Sequence, residues 1–324
     1  MTRAIVLREP GGPEALRLEK VEIGPPGPGE IRLRQTAIGV NFHDCYVRSG
    51  LYQTLPLPGI PGIEAVGQVE TVGEGVEGLV PGQRVGYVSR GYGAYAEARL
   101  LPADLAVPLP DTLSDEAAAS ILLKGLTACM LLRRVHRASA GETILVHAAA
   151  GGVGQLLCAW GRHLGARVIG TVGSREKAEV ATRAGADHVI LYREEDFSAR
   201  VRAITGGEGV AVAYDAVGRD TFLGSLESLG FLGTLVNYGQ ASGPVEPLSP
   251  SALAVKSNAL VRPIVFHHLR ARASLDAMAG ELFAAIAAGI IRPETFLALP
   301  LDQAGESHRI LEARRTTGAV ILVP

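Results

Sequence analysis

The chain has 324 residues, 47% of them hydrophobic, with 31 basic side chains against 33 acidic ones. That length and apolar content give room for about two domains with real cores and exclude a disordered or fibrous chain, and the near-cancelling charge leaves no electrostatic footprint for nucleic acid or an anionic membrane. The amino terminus carries no long apolar run and nothing approaches the roughly 18 uninterrupted apolar residues of a membrane span, so a cytoplasmic protein with a small-molecule partner is expected.

The first 120 or so residues are punctuated by turn sequences, GPPGPGE at 24–30, LPLPGIPG at 55–62, VGEGVEG at 72–78 and VPGQRVG at 80–86. Between the turns, IRLRQTAI, AVGQVETV and QRVGYV alternate or are rich in β-branched residues, which predicts short strands of a barrel-like β domain. EAAASILLKGLTA at 116–128 reads as an Ala-rich helical segment ending near Lys124. From there the texture changes to strand, Gly-rich turn, helix and strand again. TILVHA, ARVIGTV, DHVILY, VAVAYDAV and TLVNYG, separated by helix-length segments, predict parallel strands with crossover helices. The carboxyl end carries helical patterns in SLDAMAGELFAAIAAG and AGESHRILEAR and a last strand AVILVP. Cys45, Cys129 and Cys158 are too scattered for a disulfide framework and read as reduced, buried thiols.

The most informative stretch is AAAGGVGQ at 148–155. Glycine at a strand-to-helix turn admits backbone shapes closed to other residues and removes the Cβ that would block a phosphate. The helix that follows has one apolar face in Val153, Leu156, Leu157, Trp160 and Leu164. Gly151, Gly152 and Gly154 therefore read as a dinucleotide turn, with Ala148 and Ala150 departing from the G-x-G-x-x-G spacing; a plain tight turn is the alternative. About 20 residues on, an NAD-binding unit offers Asp or Glu to the ribose 2′-hydroxyl. Here the next strand ends in Gly173, Ser174, Arg175, Glu176 and Lys177. A hydroxyl at Ser174 and an ammonium at Lys177 suit a 2′-phosphate, which favours NADPH over NADH; Ser174 as a helix cap is compatible with that reading.

With AAAGGVG, three further segments carry a resemblance: GVNFHDCYVRSGLY at 39–52, EAAASILLKGLTA at 116–128 and ITGGEGVAVAYDAVGRDT at 204–221. Together they resemble the zinc-independent NADPH:quinone oxidoreductases, related to ζ-crystallin, of the medium-chain dehydrogenase/reductase superfamily. The resemblance implies an α/β fold in which a GroES-like β-barrel-type domain (1–125, closed by 266–324) embraces a Rossmann doubly wound parallel-sheet domain (126–265), with the active cleft at their junction and a homodimer formed through the Rossmann sheets. It places Asn41 near the nicotinamide, Tyr46 near the phosphates, Thr127 near the carboxamide and Lys124 at the cleft, where a solvated helix-end cation is the alternative. Tyr52 is either a hydrogen-bond donor to a quinone oxygen or a packing residue, and Asp44 and Arg48 are expected to pair with each other. Further cofactor positions implied in the same way are Tyr192 near the adenine, Val217 and Gly218 under the nicotinamide ribose, the strand-end residues Tyr238, Gly239 and Gln240, then Ile264, Val265 and Phe266 at the nicotinamide, and Arg314 at the cleft. His147 is expected to be an interior, hydrogen-bonded residue.

The same comparison addresses metal. Zinc-dependent relatives place a Cys near residue 41 and a His-Glu pair near 63, where this chain has Asn41 and Ile63-Glu64, so no zinc is expected. Without a Lewis acid, the acceptor of a hydride has to be electron-poor already, as quinones and conjugated enones are. Quinone reduction is the expected activity. The alternatives are an NADPH-dependent enone or alkenal reductase and a non-enzymatic NADPH-binding, crystallin-like protein that binds RNA. His43, Cys45, Gln240-Ala241 and VRPIVFHHLRARAS depart from the family pattern and make the acceptor the least transferable feature.

Overall fold

The computed structural model describes residues 1–314 and 316–324. The chain divides into two compact units, one comprising Met1–Leu123, Ala271–Ala279 and Pro293–Pro324, the other Lys124–Arg270 and Gly280–Arg292.

The first unit opens with the antiparallel pair β1 (Thr2–Leu7) and β2 (Leu16–Val21). The 11-residue β3 (Glu30–Val40) follows, and its buried Ile31 and Leu33 alternate with the outward Arg32 and Arg34. It delivers Asn41 to the start of a short helix, α1 (Phe42–Arg48). Asn41 has extended backbone, and the Asp44 carboxylate accepts its N–H at 2.9 Å, which satisfies one end of the first turn. Gly50, with φ +82°, follows the helix closely. Then come β4 (Glu64–Val72), β5 (Arg84–Val88), β6 (Ala98–Pro102) and β7 (Val107–Pro108). The Ala-rich segment forms α2 (Asp115–Met130), which runs past Lys124 by almost two turns.

The second unit is built on β8 (Thr143–Val146), α3 (Gly152–His163), β9 (Arg167–Val172), α4 (Arg175–Arg183), β10 (His188–Leu191), α5 (Phe197–Ile204), β11 (Val210–Asp215), α6 (Phe222–Ser228), β12 (Leu229–Asn237) and β13 (Ala259–Val261). The sheet order is β10-β9-β8-β11-β12-β13 and every neighbouring pair is parallel. Helices cover both faces of such a sheet, so its strands are apolar throughout: Ile144, Leu145, Val146, Val168, Ile169, Val212 and Ala213 are all buried. The chain steps outward from β8 to β10 and then returns to β11 on the other side of β8. That reversal leaves a crevice at the carboxyl ends of the central strands, where ligands bind in folds of this kind. The expected doubly wound order is therefore present. On α3, Leu156, Leu157 and Trp160 are buried as the periodicity predicts, while Val153 and Leu164 are half-buried.

After α7 (Val265–His268) and α8 (Arg272–Ala287), β14 (Thr295–Pro300), α9 (Ala304–Glu312) and β15 (Ala319–Val323) return to the first unit. Its larger sheet runs β14-β15-β3-β4-β5-β7, with β6 paired to the first half of β3 and β15 to the second. Ile5, Ile31, Leu33, Ile38, Tyr87, Leu101 and Leu322 form one buried core, each side chain contributing about 1.5–3 kcal/mol of transfer free energy. The return differs from the sequence expectation for 266–324, because residues up to Arg270 and then Gly280–Arg292 pack with the second unit. Glu281 pairs there with Arg133 at 3.5 Å and with Arg134, and Leu282 lies against Gly125, where an added Cβ would come within 2.4 Å of its Cδ1. Among the described residues, no helix is long and apolar enough to cross a membrane.

Candidate active site

The turn after β8 is shaped by a left-handed residue and a bare one. Ala148 takes φ +51°, the position the first fingerprint glycine would fill, at a cost of about 1–2 kcal/mol for a residue with a Cβ. Gly154 cannot be replaced in kind: a Cβ there would stand 2.2 Å from the Ala148 carbonyl oxygen and 2.8 Å from Ala149 Cα. Helix and strand thus approach at backbone contact. Gly151 caps α3 in extended conformation with no side-chain bond to the first-turn N–H groups, which begin with Gly152 and Val153. The stem of Lys124 passes beside Gly152, with its Cδ 2.9 Å from where a Cβ would sit. Lys124 is buried and interior to α2, which corrects the solvated helix-end alternative. Thr127 lies on the same helix, half-buried.

At the end of β9, Ser174 caps α4 and its hydroxyl oxygen accepts the Lys177 N–H at 3.5 Å. The Ser174 hydroxyl also holds the exposed Glu176 carboxyl below its usual range. The Tyr192 hydroxyl borders the same loop, 3.2 Å from a Cβ built on Gly173. Beyond β11, the Asp215 carboxylate accepts the N–H groups of Val217 at 2.8 Å and Gly218 at 3.0 Å. Its main-chain carbonyl accepts those of Tyr238 at 2.9 Å and Gly239 at 3.3 Å. Arg262 donates to Asn237 and to the Gly239 carbonyl, holding the loop that continues to Gln240. Asp215 was not singled out from the sequence; the signal was its place at the end of an apolar strand, immediately before a Gly-containing loop. Ile264 is exposed, Val265 buried and Phe266 half-buried at the start of α7. Arg314, half-buried with φ +54°, follows α9.

In the first unit, Asn41 Nδ2 donates to Glu64 Oε1 at 2.8 Å, and the Leu123 N–H donates to Glu64 Oε2 at 2.8 Å. Glu64 is fully buried. Asp44 does not pair with Arg48. Its Oδ2 accepts the Asn41 N–H and the Tyr95 hydroxyl at 3.1 Å, and that hydroxyl lies 3.0 Å from His308 Nε2. Arg48 instead grips Glu312 through both terminal nitrogens, at 2.6 and 3.1 Å, and the Gly11 carbonyl through Nε. The reason is geometric: the Asp44 side chain turns back to the helix start, leaving the guanidinium to a carboxylate on α9.

Tyr46, Tyr52, His43 and Tyr92 form an aromatic cluster beside Asn41. Tyr52 meets Tyr46 edge-on at 5.1 Å and His43 at 5.4 Å through its ring; His43 Nε2 lies 3.1 Å from the Tyr92 hydroxyl, which also bonds Thr54. Burial, reinforced by Arg90, pushes His43 down to about 4, leaving it neutral at pH 7. Burial pushes the Cys45 thiol far up, so it stays protonated.

The zinc chemistry of related dehydrogenases does not fit these side chains. Ile63 is a buried core residue where a ligand would be needed, and Glu64 is committed to Asn41 and a main-chain N–H. No group of three or more His, Cys, Asp or Glu side chains able to hold a metal ion occurs among the described residues.

Comparison with known proteins agrees with this architecture. Residues 27–111 match the alcohol dehydrogenase GroES-like domain and residues 152–280 the zinc-binding dehydrogenase family. These two modules define a medium-chain dehydrogenase/reductase. Within that class, the chain belongs to the quinone oxidoreductase family: it is 44% identical to a quinone oxidoreductase of Pseudomonas aeruginosa, with all of both chains covered. The structure of Escherichia coli quinone oxidoreductase complexed with NADPH superposes with a TM-score of 0.96 at 42% identity, again over all of both chains. A 2-haloacrylate reductase of Burkholderia sp is 41% identical, over all of this chain and 99% of that one.

Proposed function

We propose that this chain is a cytoplasmic, metal-independent reductase that uses NADPH to reduce quinones. The observation that carries the reading is the set of loops at 148–154, 173–177, 217–218 and 238–240, which leave the carboxyl ends of neighbouring parallel strands on both sides of the switch between β8 and β11. The N–H groups at the start of α3 suit the pyrophosphate, because backbone donors and the helix dipole point at one place. Ser174 and Lys177 suit the 2′-phosphate, and the position that carries Asp or Glu in NAD-binding units is a serine here. Tyr192 lies beside that loop for the adenine, and Val217, Gly218, Tyr238, Gly239 and Gln240 serve the nicotinamide ribose and its phosphate. Thr127, Ile264, Val265 and Phe266 are assigned to the nicotinamide.

When bound, the cofactor supplies the hydride. The first unit carries a preorganised polar and aromatic set of its own. Glu64 fixes the Asn41 amide so that its nitrogen is the donor toward Glu64, Tyr46 and Tyr52 give a rigid aromatic wall, and neutral His43 adds no charge that would draw water in. Lys124 supplies a cation for the oxygen that gains charge on reduction. The chain acts as a homodimer joined through the edge of its parallel sheet, where Phe231 and Leu232 are exposed beside β13.

The test is oxidation of NADPH and NADH by p-benzoquinone, a naphthoquinone, an enone and 2-chloroacrylate, each with and without a chelator. Chelator-insensitive quinone turnover with NADPH is expected. Turnover confined to the enone or the haloacrylate would transfer the reading to activated alkenes, which the identity to the haloacrylate reductase makes the second candidate. Lys177→Glu should raise KM for NADPH by about tenfold or more and leave NADH nearly unchanged; an equal effect on both rejects its phosphate role.

A further inference from the structure

Buried polar side chains inside the second unit form a connected chain that the reading above does not use. Thr171 lies on β9, His147 directly after β8, Asp215 at the end of β11, Thr221 at the start of α6 and Ser225 within it, and all are buried. Thr171 Oγ1 is 2.8 Å from His147 Nδ1, and His147 Nε2 is 2.8 Å from Ser225 Oγ. Ser225 Oγ lies 2.8 Å from the Thr221 carbonyl and 3.2 Å from Asp215 Oδ2, and Thr221 Oγ1 is 2.9 Å from each Asp215 oxygen.

One proton arrangement satisfies every atom. The Ser225 hydroxyl has a single hydrogen and faces two pure acceptors, a carbonyl and a carboxylate, so it donates to them and accepts from His147 Nε2–H. Neutral His147 then presents Nδ1 as an acceptor, and the Thr171 hydroxyl donates to it. Each terminus of the chain reaches a different loop. Thr171 precedes Gly173 by two residues, His147 opens the glycine turn, and Asp215 holds both the 217–218 loop and the 238–239 loop through its carboxylate and its carbonyl.

We propose that this buried chain is a positioning network that fixes the spacing of the cofactor loops and, through its Thr171 end, sets the preference for a cofactor bearing a 2′-phosphate. The inference rests on the NADPH reading. The Thr171 end governs the loop of Ser174 and Lys177, which alone meets the group that distinguishes NADPH from NADH. The Asp215 end governs loops assigned to parts the two cofactors share. Breaking the network at the two ends therefore has different consequences. Thr171→Val keeps the side chain's shape and leaves the buried His147 Nδ1 without a donor, so β9 keeps its backbone ladders but loses its side-chain link to His147 and, through it, to Ser225 and Asp215.

The experiment measures dissociation constants of the full chain for NADPH, NADH and 2′,5′-ADP. Thr171→Val should lower the NADPH-over-NADH preference by about fivefold, in the middle of the range for coupling through packed networks, and weaken 2′,5′-ADP by the same factor. Thr171→Ser, which restores the hydroxyl, should recover both. Ser225→Ala interrupts the network away from either loop and should lower the preference as Thr171→Val does, which keeps the test available if the valine variant does not fold. Thr221→Val should weaken NADPH and NADH alike and leave their ratio within about twofold. An unchanged ratio in a folded Thr171→Val or Ser225→Ala protein overturns the network. No NADPH binding by the unsubstituted chain overturns the cofactor reading itself, and the network's role with it.

Discussion

Glu64 is a carboxylate with no accessible surface, and both of its oxygens accept hydrogen bonds at 2.8 Å, one from Asn41 and one from the Leu123 main chain. Gly39 makes room for it, since a Cβ there would fall 2.2 Å from Glu64 Oε1. An amide cannot replace this group, because a glutamine presents a donor to one of the two N–H groups whichever way it turns. Glu64→Gln is expected to cost about 1–3 kcal/mol in unfolding free energy and to lower kcat by roughly tenfold or more as Asn41 loses its orientation. The dissociation constant for 2′,5′-ADP should stay unchanged, since the loops assigned to it belong to the other unit. Denaturant titration and steady-state kinetics check the two halves, and an unaltered kcat in a destabilised protein would remove Asn41 from the reaction. The motif around Asn41 is visible in the sequence, but its partner is not. The pairing is settled by the β3–β4 register, in which Ile38 lies opposite Ala65. Arg48 illustrates the same limit: the local spacing points to Asp44, whereas the structure joins it to Glu312, 264 residues away.

At the level of elements, the parallel sheet is the most legible part, because strands buried on both faces read as continuous apolar runs with a long helical segment between them. α8 is legible as a helix but not in its allegiance. Its apolar residues lie on several faces, so nothing in the pattern marks where Ala279 ends one unit's share and Gly280 begins the other's. Near the start of β12, Leu229 is core, yet two residues later the apolar pair turns outward: Phe231 is 80% and Leu232 76% exposed. Leu232 is held there with φ +61° by its N–H bond to the Lys256 carbonyl, next to exposed Val255. Clustered apolar side chains beside the edge strand β13 have the character of an interface, since an open sheet edge invites a second strand. Phe231→Asp combined with Leu232→Asp should convert a dimer to a monomer in sedimentation equilibrium while leaving NADPH binding intact. A dimer that survives both substitutions would move the interface elsewhere.

Across the whole molecule, buried histidines set an acid limit. Burial pushes His43 down to about 4 and His308 down to about 3, with Arg90 and Arg48 adding to the respective shifts. Burial also lowers His147, against an opposing pull from Asp215. Unfolded histidines protonate near pH 6.5, so below that pH the unfolded chain binds protons that the folded chain refuses, and stability falls as pH falls, by about 1.4 kcal/mol per pH unit for each such residue. Between pH 7 and pH 5, His43 and His308 each remove about 2 kcal/mol, together a large share of the 5–15 kcal/mol typical of a domain. The loss begins at about pH 6.5 and is under way before most carboxylates titrate. It also reaches the site, because His308 bonds Tyr95, Tyr95 bonds Asp44, and Asp44 holds the Asn41 N–H. His308→Gln removes one titrating group while keeping a polar partner for the Tyr95 hydroxyl, so it should cut the fall in unfolding free energy between pH 7 and pH 5 by about 2 kcal/mol in urea titrations. Equal stability of the unsubstituted protein at the two pH values would contradict the buried neutral state of both histidines, and an unreduced slope in the variant would assign the acid sensitivity to His43 and the remaining groups.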